Sequence, residues 1–278
     1  MNRVERIRLL KTEGWYVMES LLVADSLGRV RDAVLEQEAL QSLEWASVRE
    51  QWHAAGYVVP DLRTGRAQRV IEKIPEHCAF LADPRMLEVV EGVFGPPVRV
   101  SSVGGIVTRS GNRRGHWHAD WPFNQKLASY VPAPYEDAIL HLSAIIMLTD
   151  FSSENGATLI VPGTHRRSSN PTGDIGVDPL APYPNERSAT GPAGSVLVYD
   201  SRLWHAAAPN TTDTPRVALT VRYAPWWLNL EVRRAGSPDH ARAVSSTQGK
   251  DNSVPMVPRA IFERLPPQVR DLLRHSVV

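Results

Sequence analysis

Two imidazoles and a carboxylate are the chemistry this chain offers most plainly. His118 and Asp120 stand two positions apart within GHWHADWPFNQ, residues Gly115–Gln125. In an extended segment, residues i and i+2 project from the same face, so a ring nitrogen and a carboxylate oxygen can meet at one point. A metal held by such a pair needs a third ligand, and His205 in LWHAAAPN is the candidate. Two histidines and one carboxylate on one face of an octahedron leave positions open for a cosubstrate and dioxygen, the arrangement of non-haem iron(II) sites. Taken alone, the pair reads better as a surface histidine and a turn-capping aspartate. His116 competes with His118, but stands four positions from Asp120 rather than two. It is read as a structural hydrogen-bonder or part of the entrance.

Four later segments give the pair its weight. ENGATLIVPGTHR (Glu154–Arg166), GSVLVYD (Gly194–Asp200), SRLWHAAAPN (Ser201–Asn210) and PRVALTVRYAP (Pro215–Pro225) come in that order. The set resembles the phytanoyl-CoA dioxygenase family of iron(II)- and 2-oxoglutarate-dependent oxygenases. The likeness runs from about Trp15 to the C-terminus and is densest between residues 94 and 225. It rests on WHAD, the ENGA and PGTH blocks, the LWH histidine, and an arginine, Arg216, eleven residues beyond His205 (216 − 205 = 11).

The resemblance implies Fe(II), 2-oxoglutarate and dioxygen as cofactor and cosubstrates. His118, Asp120 and His205 become the metal ligands and the catalytic centre. The competing role for His205 is that of a buried histidine bonded to backbone. Arg216 becomes the clamp for the distal carboxylate of 2-oxoglutarate, a task suited to a planar, permanently charged, two-pronged donor. Thr108 and Ile145 are grouped with Arg216 as cofactor-binding. On the strand Arg216–Tyr223, the residues Arg216, Ala218, Thr220 and Arg222 share one face and the apolar ones the other; Arg222 is read as facing solvent. Related halogenating enzymes carry a small residue in place of the carboxylate. Asp120 therefore implies hydroxylation or another oxidation of an unactivated C–H bond, with release of succinate and carbon dioxide.

The substrate is expected to be a small molecule, a natural-product or metabolite intermediate. Trp121, Phe123, Arg109 and His141 are its candidate contacts, with Arg113, Arg114, Arg166 and Arg167 around the mouth and Trp226 and Trp227 closing the far side. Core packing competes for His141, and His165 in PGTH is read as structural. Nothing marks an acyl-CoA site. Two other classes stay open: a cupin-like hydrolase or isomerase using zinc or manganese, and a non-catalytic ligand-binding barrel. Ligand type alone does not choose the metal; the Arg216 offset speaks for the oxygenase.

Positioning these residues requires strands. Val98–Thr108, Ala138–Thr149, Ala157–Val161, Ser195–Tyr199 and Arg216–Ala224 are predicted as strands separated by turns, with no alternation of strand and helix. That pattern suggests a mainly β chain with flanking helices, a double-sheet jelly roll of the kind shared with cupins and an N-terminal helical portion; the family resemblance implies the same fold, a double-stranded β-helix. The expected organisation is one domain, with residues 1–95 a mostly helical flank, 96–228 the jelly-roll core and 229–278 a C-terminal extension with a helix. In the flank, Val4, Ile7 and Leu10 make a stripe ending at Gly14, and Trp15–Glu19 is a short strand. Asp25 or Ser26 caps a helix with Leu27, Val30 and Val34 inward, and a second helical piece runs to Trp52. Asp83-Pro84 opens a helix that stops at Gly95. Pro60–Gln68 reads as an entrance loop, and Thr164–Pro192, rich in Ser, Asn, Pro and Gly, as a lid.

Composition narrows the remaining classes. With 31 basic and 30 acidic residues the formal charge is +1, and no run has one sign. Neither nucleic acid nor a membrane surface is expected as a partner; a monomer or homodimer is. One cysteine, Cys78, excludes an internal disulfide and fits a reducing, cytoplasmic setting. No apolar run approaches the ~20 residues of a span, and the charged N-terminus lacks a signal-peptide core.

Overall fold

The computed structural model describes residues 1–54, 63–121, 138–171, 176–246 and 251–278. The N-terminal flank contributes α1 (Arg3–Thr12), β1 (Trp15–Met18), α2 (Ala24–Ala54), β2 (Thr64–Ala67), α3 (Val70–Lys73) and α4 (Pro84–Phe94). Then come the strands β3 (Val98–Thr108), β4 (Leu142–Met147), β5 (Leu159–Ile160), β6 (Arg187–Ser188), β7 (Val196–Asp200), β8 (His205–Ala206) and β9 (Arg216–Pro225). The chain closes with α5 (Pro238–Ser246), α6 (Arg259–Phe262) and α7 (Pro267–Leu273).

The strands form two antiparallel sheets, the jelly roll expected from the sequence. The larger runs β1-β7-β4-β9-β3-β2 and the smaller β6-β5-β8. Apart from the β2–β3 and β5–β6 pairs, neighbours in the sheets are not consecutive in sequence, so β9 lies between β3 and β4, and the chain meets its own distant parts. The outer face of the large sheet (Val107, Val196, Val198, Val217, Leu219 and Val221 among others) merges with Leu10, Val30, Val34 and Val90 from the helices in one core. Its inner face meets the small sheet in a second core, where Ile145, Met147, Leu197 and Ala218 pack with Ile160, Ala189 and Leu203. Strands buried on both faces read as continuous apolar runs rather than alternations, and β4 and β7 are buried at every position.

Several local expectations hold and others need correction. Asp83 caps α4 by accepting from the Arg85 N–H at 2.8 Å, and Gly95 ends it with φ 71°. In α1, Leu10 is buried and Ile7 packs on the core, but Val4 is 76% exposed. The two helical pieces predicted between Asp25 and Trp52 are one helix of 31 residues, because no proline or glycine breaks it after Gly28. Residues 64–67 are not loop but an edge strand against β3; TGRA has no apolar alternation to announce it. The described parts of the predicted lid are pinned down: Pro179 and Ala181 carbonyls accept from the Trp117 backbone at 2.8 Å and indole at 2.9 Å.

Two motif glycines have steric reasons. Gly156 of ENGA has φ +82°, and a Cβ there would lie 2.8 Å from the Ala208 carbonyl. Gly115 lies where a Cβ would come within 3.2 Å of the Ala207 nitrogen, as the segment before His118 draws in beside β8.

Candidate metal and cosubstrate site

His118 and His205 are backbone partners. Each donates its N–H to the other's carbonyl at 3.0 Å, so the HxD segment lies as an extra strand beside β8. Their rings come to 4.1 Å between centroids. Asp120 enters the same space, and one ligand atom from each of His118, Asp120 and His205 lies within 4.8 Å of the others. That spread suits three ligands on one ion.

The ring orientations are set from behind. His118 Nδ1 faces the His116 carbonyl at 3.1 Å, and His205 Nδ1 faces the Leu203 carbonyl at 2.9 Å. A carbonyl oxygen only accepts, so each Nδ1 carries the proton and each Nε2 presents a lone pair. It is thus the backbone carbonyl of His116, not its ring, that serves the site. Burial, then the neighbouring His205, lowers the His118 pKa to about 3, keeping that ring neutral and able to ligate.

Asp120 has three protein partners. Its Oδ2 accepts from Ser143 and from the Tyr199 hydroxyl, each at 2.9 Å, and its Oδ1 from Arg222 Nη2 at 2.6 Å. Burial alone would raise this carboxyl, but Arg222 and the donors around it hold it well below the usual carboxylate range. Sequence reasoning placed Arg222 in solvent; it is instead the ion-pair partner of Asp120. Tyr199 and Ser143 were missed. The signal was register: across antiparallel pairs, residues directly opposite share a face, and Ser143 stands opposite both Tyr199 and Arg222.

Arg216 lies at the other end of the same face of β9 and is 3% exposed. Its Nη2 donates to Thr108 Oγ1 at 2.7 Å and Nη1 reaches Thr158 Oγ1 at 3.4 Å, while the guanidinium sits 4.6 Å over the Phe151 ring. Nε has no partner among the described residues. No carboxylate among the described residues pairs with it, and burial lowers its pKa to about 10. A buried guanidinium facing hydroxyls and an aromatic ring, with no acid paired to it among the described residues, has the charge and geometry to receive a carboxylate. Thr108 lies beside Arg216 as its hydrogen-bond acceptor. Ile145 lies on the same inner face, opposite Thr220.

The predicted substrate contacts fare less well. Arg109 pairs with Glu38 of α2, away from the inner face, because α2 covers that end of β3. Arg114 pairs with Glu186 at 2.6 Å and lies over Trp117. His141 is wholly buried between Ser101 Oγ at 2.9 Å and Ser201 Oγ at 2.7 Å, in core packing rather than in a cavity. Trp121 is 4% exposed and stacks on His141. Phe123 lies outside the described residues. Trp226 and Trp227 are half exposed, and His165 is structural, its Nε2 against the Lys11 carbonyl.

A profile of the family Phytanoyl-CoA dioxygenase (PhyH) matches residues 11–218. The chain belongs to the phytanoyl-CoA dioxygenase family. As a member it is an oxygenase dependent on iron(II) and 2-oxoglutarate. Dioxygenase af480 of Aspergillus fumigatus is 26% identical over 276 residues, covering 96% of this family member and 75% of that protein. An ectoine dioxygenase of Nocardia farcinica is 26% identical over 246 residues, covering 76% and 74%. Among solved structures, HygX from Streptomyces hygroscopicus, with nickel and 2-oxoglutarate bound, matches with TM-score 0.58 at 17% identity, covering 86% of this chain and 94% of that one. EctD from S. alaskensis, with bound Fe, matches with TM-score 0.56 at 19% identity, covering 80% and 76%. At these identities the likeness is one of fold. Among the described residues no helix is long and apolar enough to cross a membrane.

Proposed function

We propose that His118, Asp120 and His205 hold iron(II), that Arg216 grips the far carboxylate of 2-oxoglutarate, and that the enzyme hydroxylates an unactivated C–H bond of a small metabolite or natural-product intermediate. The observation that carries this reading is Arg216, a buried cation with no acid partner among the described residues, on the same sheet face as the carboxylate of the three-residue cluster. A zinc or manganese hydrolase would have no use for it.

When bound, iron(II) with 2-oxoglutarate and dioxygen supplies the oxidising chemistry, 2-oxoglutarate leaving as succinate and carbon dioxide. The chain's part is placement. His118 and His205 offer Nε2 because their Nδ1 protons are committed to carbonyls. Asp120 stays ionised because Arg222, Tyr199 and Ser143 favour the charged form. Thr108 orients the Arg216 fork, and Ile145, Met147 and Leu197 keep water from the inner core. Retention of Asp120 favours hydroxylation over halogenation. The enzyme works as one domain, supported by a core that runs from Leu10 to Leu273. Cys78, buried and free, supports a reducing, cytoplasmic setting, and the chain acts as a monomer or homodimer.

Anaerobic addition of iron(II) and 2-oxoglutarate should give a weak visible charge-transfer band that is lost in Asp120→Ala and Arg216→Ala. Tight zinc binding with no band in the wild-type protein would overturn the assignment.

A further inference from the structure

Besides Arg216, two arginines among the described residues belong to the inner face on the Asp120 side of the cluster. Arg222 projects from the inner face of β9 beside Asp120. Arg66 of β2 stands opposite Ile106, which stands opposite Ala218, so Arg66 shares that inner face. It remains exposed to solvent at the edge of the sheet.

Partial enclosure and then repulsion from Arg222 lower the Arg66 pKa, and attraction from Asp120 opposes this. Asp120 is also the ion-pair partner of Arg222. The carboxylate that pairs with Arg222 would thus be shared with the metal once iron is in place. Iron(II), Asp120, 2-oxoglutarate and Arg216 together carry no net charge. Arg222, partly buried beside the ligand carboxylate, and Arg66, at the solvent edge of the same face, then present positive charge toward one space, which favours an anion there. Arg222 has donors to spare: one nitrogen binds Asp120, and Nε has no partner among the described residues. Between the arginines the floor is open. Gly104, opposite Thr220, has no side chain, and a Cβ there would meet nothing nearer than 3.5 Å.

We infer that the substrate carries an oxyanion, a carboxylate or a phosphate ester, that docks between Arg66 and Arg222 on the Asp120 side of the metal site. This deepens the oxygenase reading and rests on it. Guanidinium groups recognise such planar or tetrahedral oxyanions through paired, charge-assisted hydrogen bonds. Arg66, being solvent-reachable, meets the anion first, and Arg222 ties its position to the ligand carboxylate.

The test uses full-length protein loaded with nickel(II) and N-oxalylglycine, a 2-oxoglutarate analogue that does not decarboxylate, so that Arg216 is already engaged. Phenylacetate, phenyl phosphate and the neutral phenylacetamide are then titrated calorimetrically at fixed ionic strength. At least one anion should bind about tenfold tighter than the amide, and Arg66→Gln should weaken it by about tenfold, the scale of one charge-assisted hydrogen bond. The amide's affinity should not change. Whichever anion binds tighter identifies the oxyanion type. Anions that bind no better than the amide, or an Arg66→Gln variant with unchanged affinity for them, would overturn the inference. Arg66 is exposed on an edge strand, so the variant should fold; its melting temperature checks this. Failure of N-oxalylglycine itself to bind the nickel-loaded wild-type protein would instead sink the oxygenase reading, independently of the anion result.

Discussion

Replacing Arg216 with methionine separates the two things a buried guanidinium does. Burial lowers its pKa from 12.5 to about 10, which places about 3 kcal/mol on keeping its charged form in the protein. Methionine fills similar space without that penalty. Against this gain stands the hydrogen bond to Thr108 at 2.7 Å and the longer one to Thr158, together worth about 1 kcal/mol net. The protein without metal or 2-oxoglutarate should therefore be stabilised by about 2 kcal/mol, as is common when a buried charge gives way to an apolar residue. For a chain of this size that is a rise of roughly 5 °C in melting temperature. Affinity for 2-oxoglutarate should move the other way, by about a hundredfold, the loss of one forked ion pair. Thermal unfolding with and without ligand, and titration of 2-oxoglutarate into the nickel-loaded protein, read both effects. Destabilisation of the ligand-free protein by more than about 2 kcal/mol would show that Arg216 is structural. Unchanged 2-oxoglutarate affinity would remove it from the site altogether.

Two groups behind the cluster can be probed in the same spirit. Tyr199→Phe removes the hydroxyl that donates to Asp120 Oδ2; it should weaken metal binding about tenfold and cost about 1 kcal/mol in unfolding, and metal titration that matches wild type would remove Tyr199 from the ligand's support. Asp200 is 4% exposed, and burial pushes its carboxyl up from 3.8 to about 7; the unfolded chain releases that proton near pH 4, so between about pH 4 and pH 7 the folded state holds more protons and stability falls as pH rises, by no more than about 4 kcal/mol. Asp200→Asn should flatten this part of the melting-temperature profile and be the more stable protein at pH 8; profiles that stay parallel would contradict the assignment.

The site was legible in the sequence wherever one short segment carried the information. HxD, the LWH histidine and the arginine eleven residues on needed no knowledge of which strands touch. Tyr199, Ser143 and the true role of Arg222 did. They converge because β7, β4 and β9 are neighbours in the large sheet though far apart in sequence, and periodicity tells which face a residue takes but not what lies across from it. Arg222 was sorted onto the polar face and then given to water, when that face is the inside. Arg109 failed in the opposite way: it comes after β3 and before the motif, yet α2 reaches it first with Glu38. The helical flank was readable from caps and stops, whereas β2, with only TGRA to show, was not.

The mutual backbone pairing of His118 and His205 has a consequence for assembly. Both rings hang from one short ladder whose spacing is set by amide geometry, with Nδ1 anchors that belong to the same two strands. The spacing of the two rings is therefore set by backbone geometry rather than by an ion. Loading should proceed with little ordering of the chain, so circular dichroism of the stripped and charged protein should coincide, and the ion can be exchanged without passing through an unravelled form.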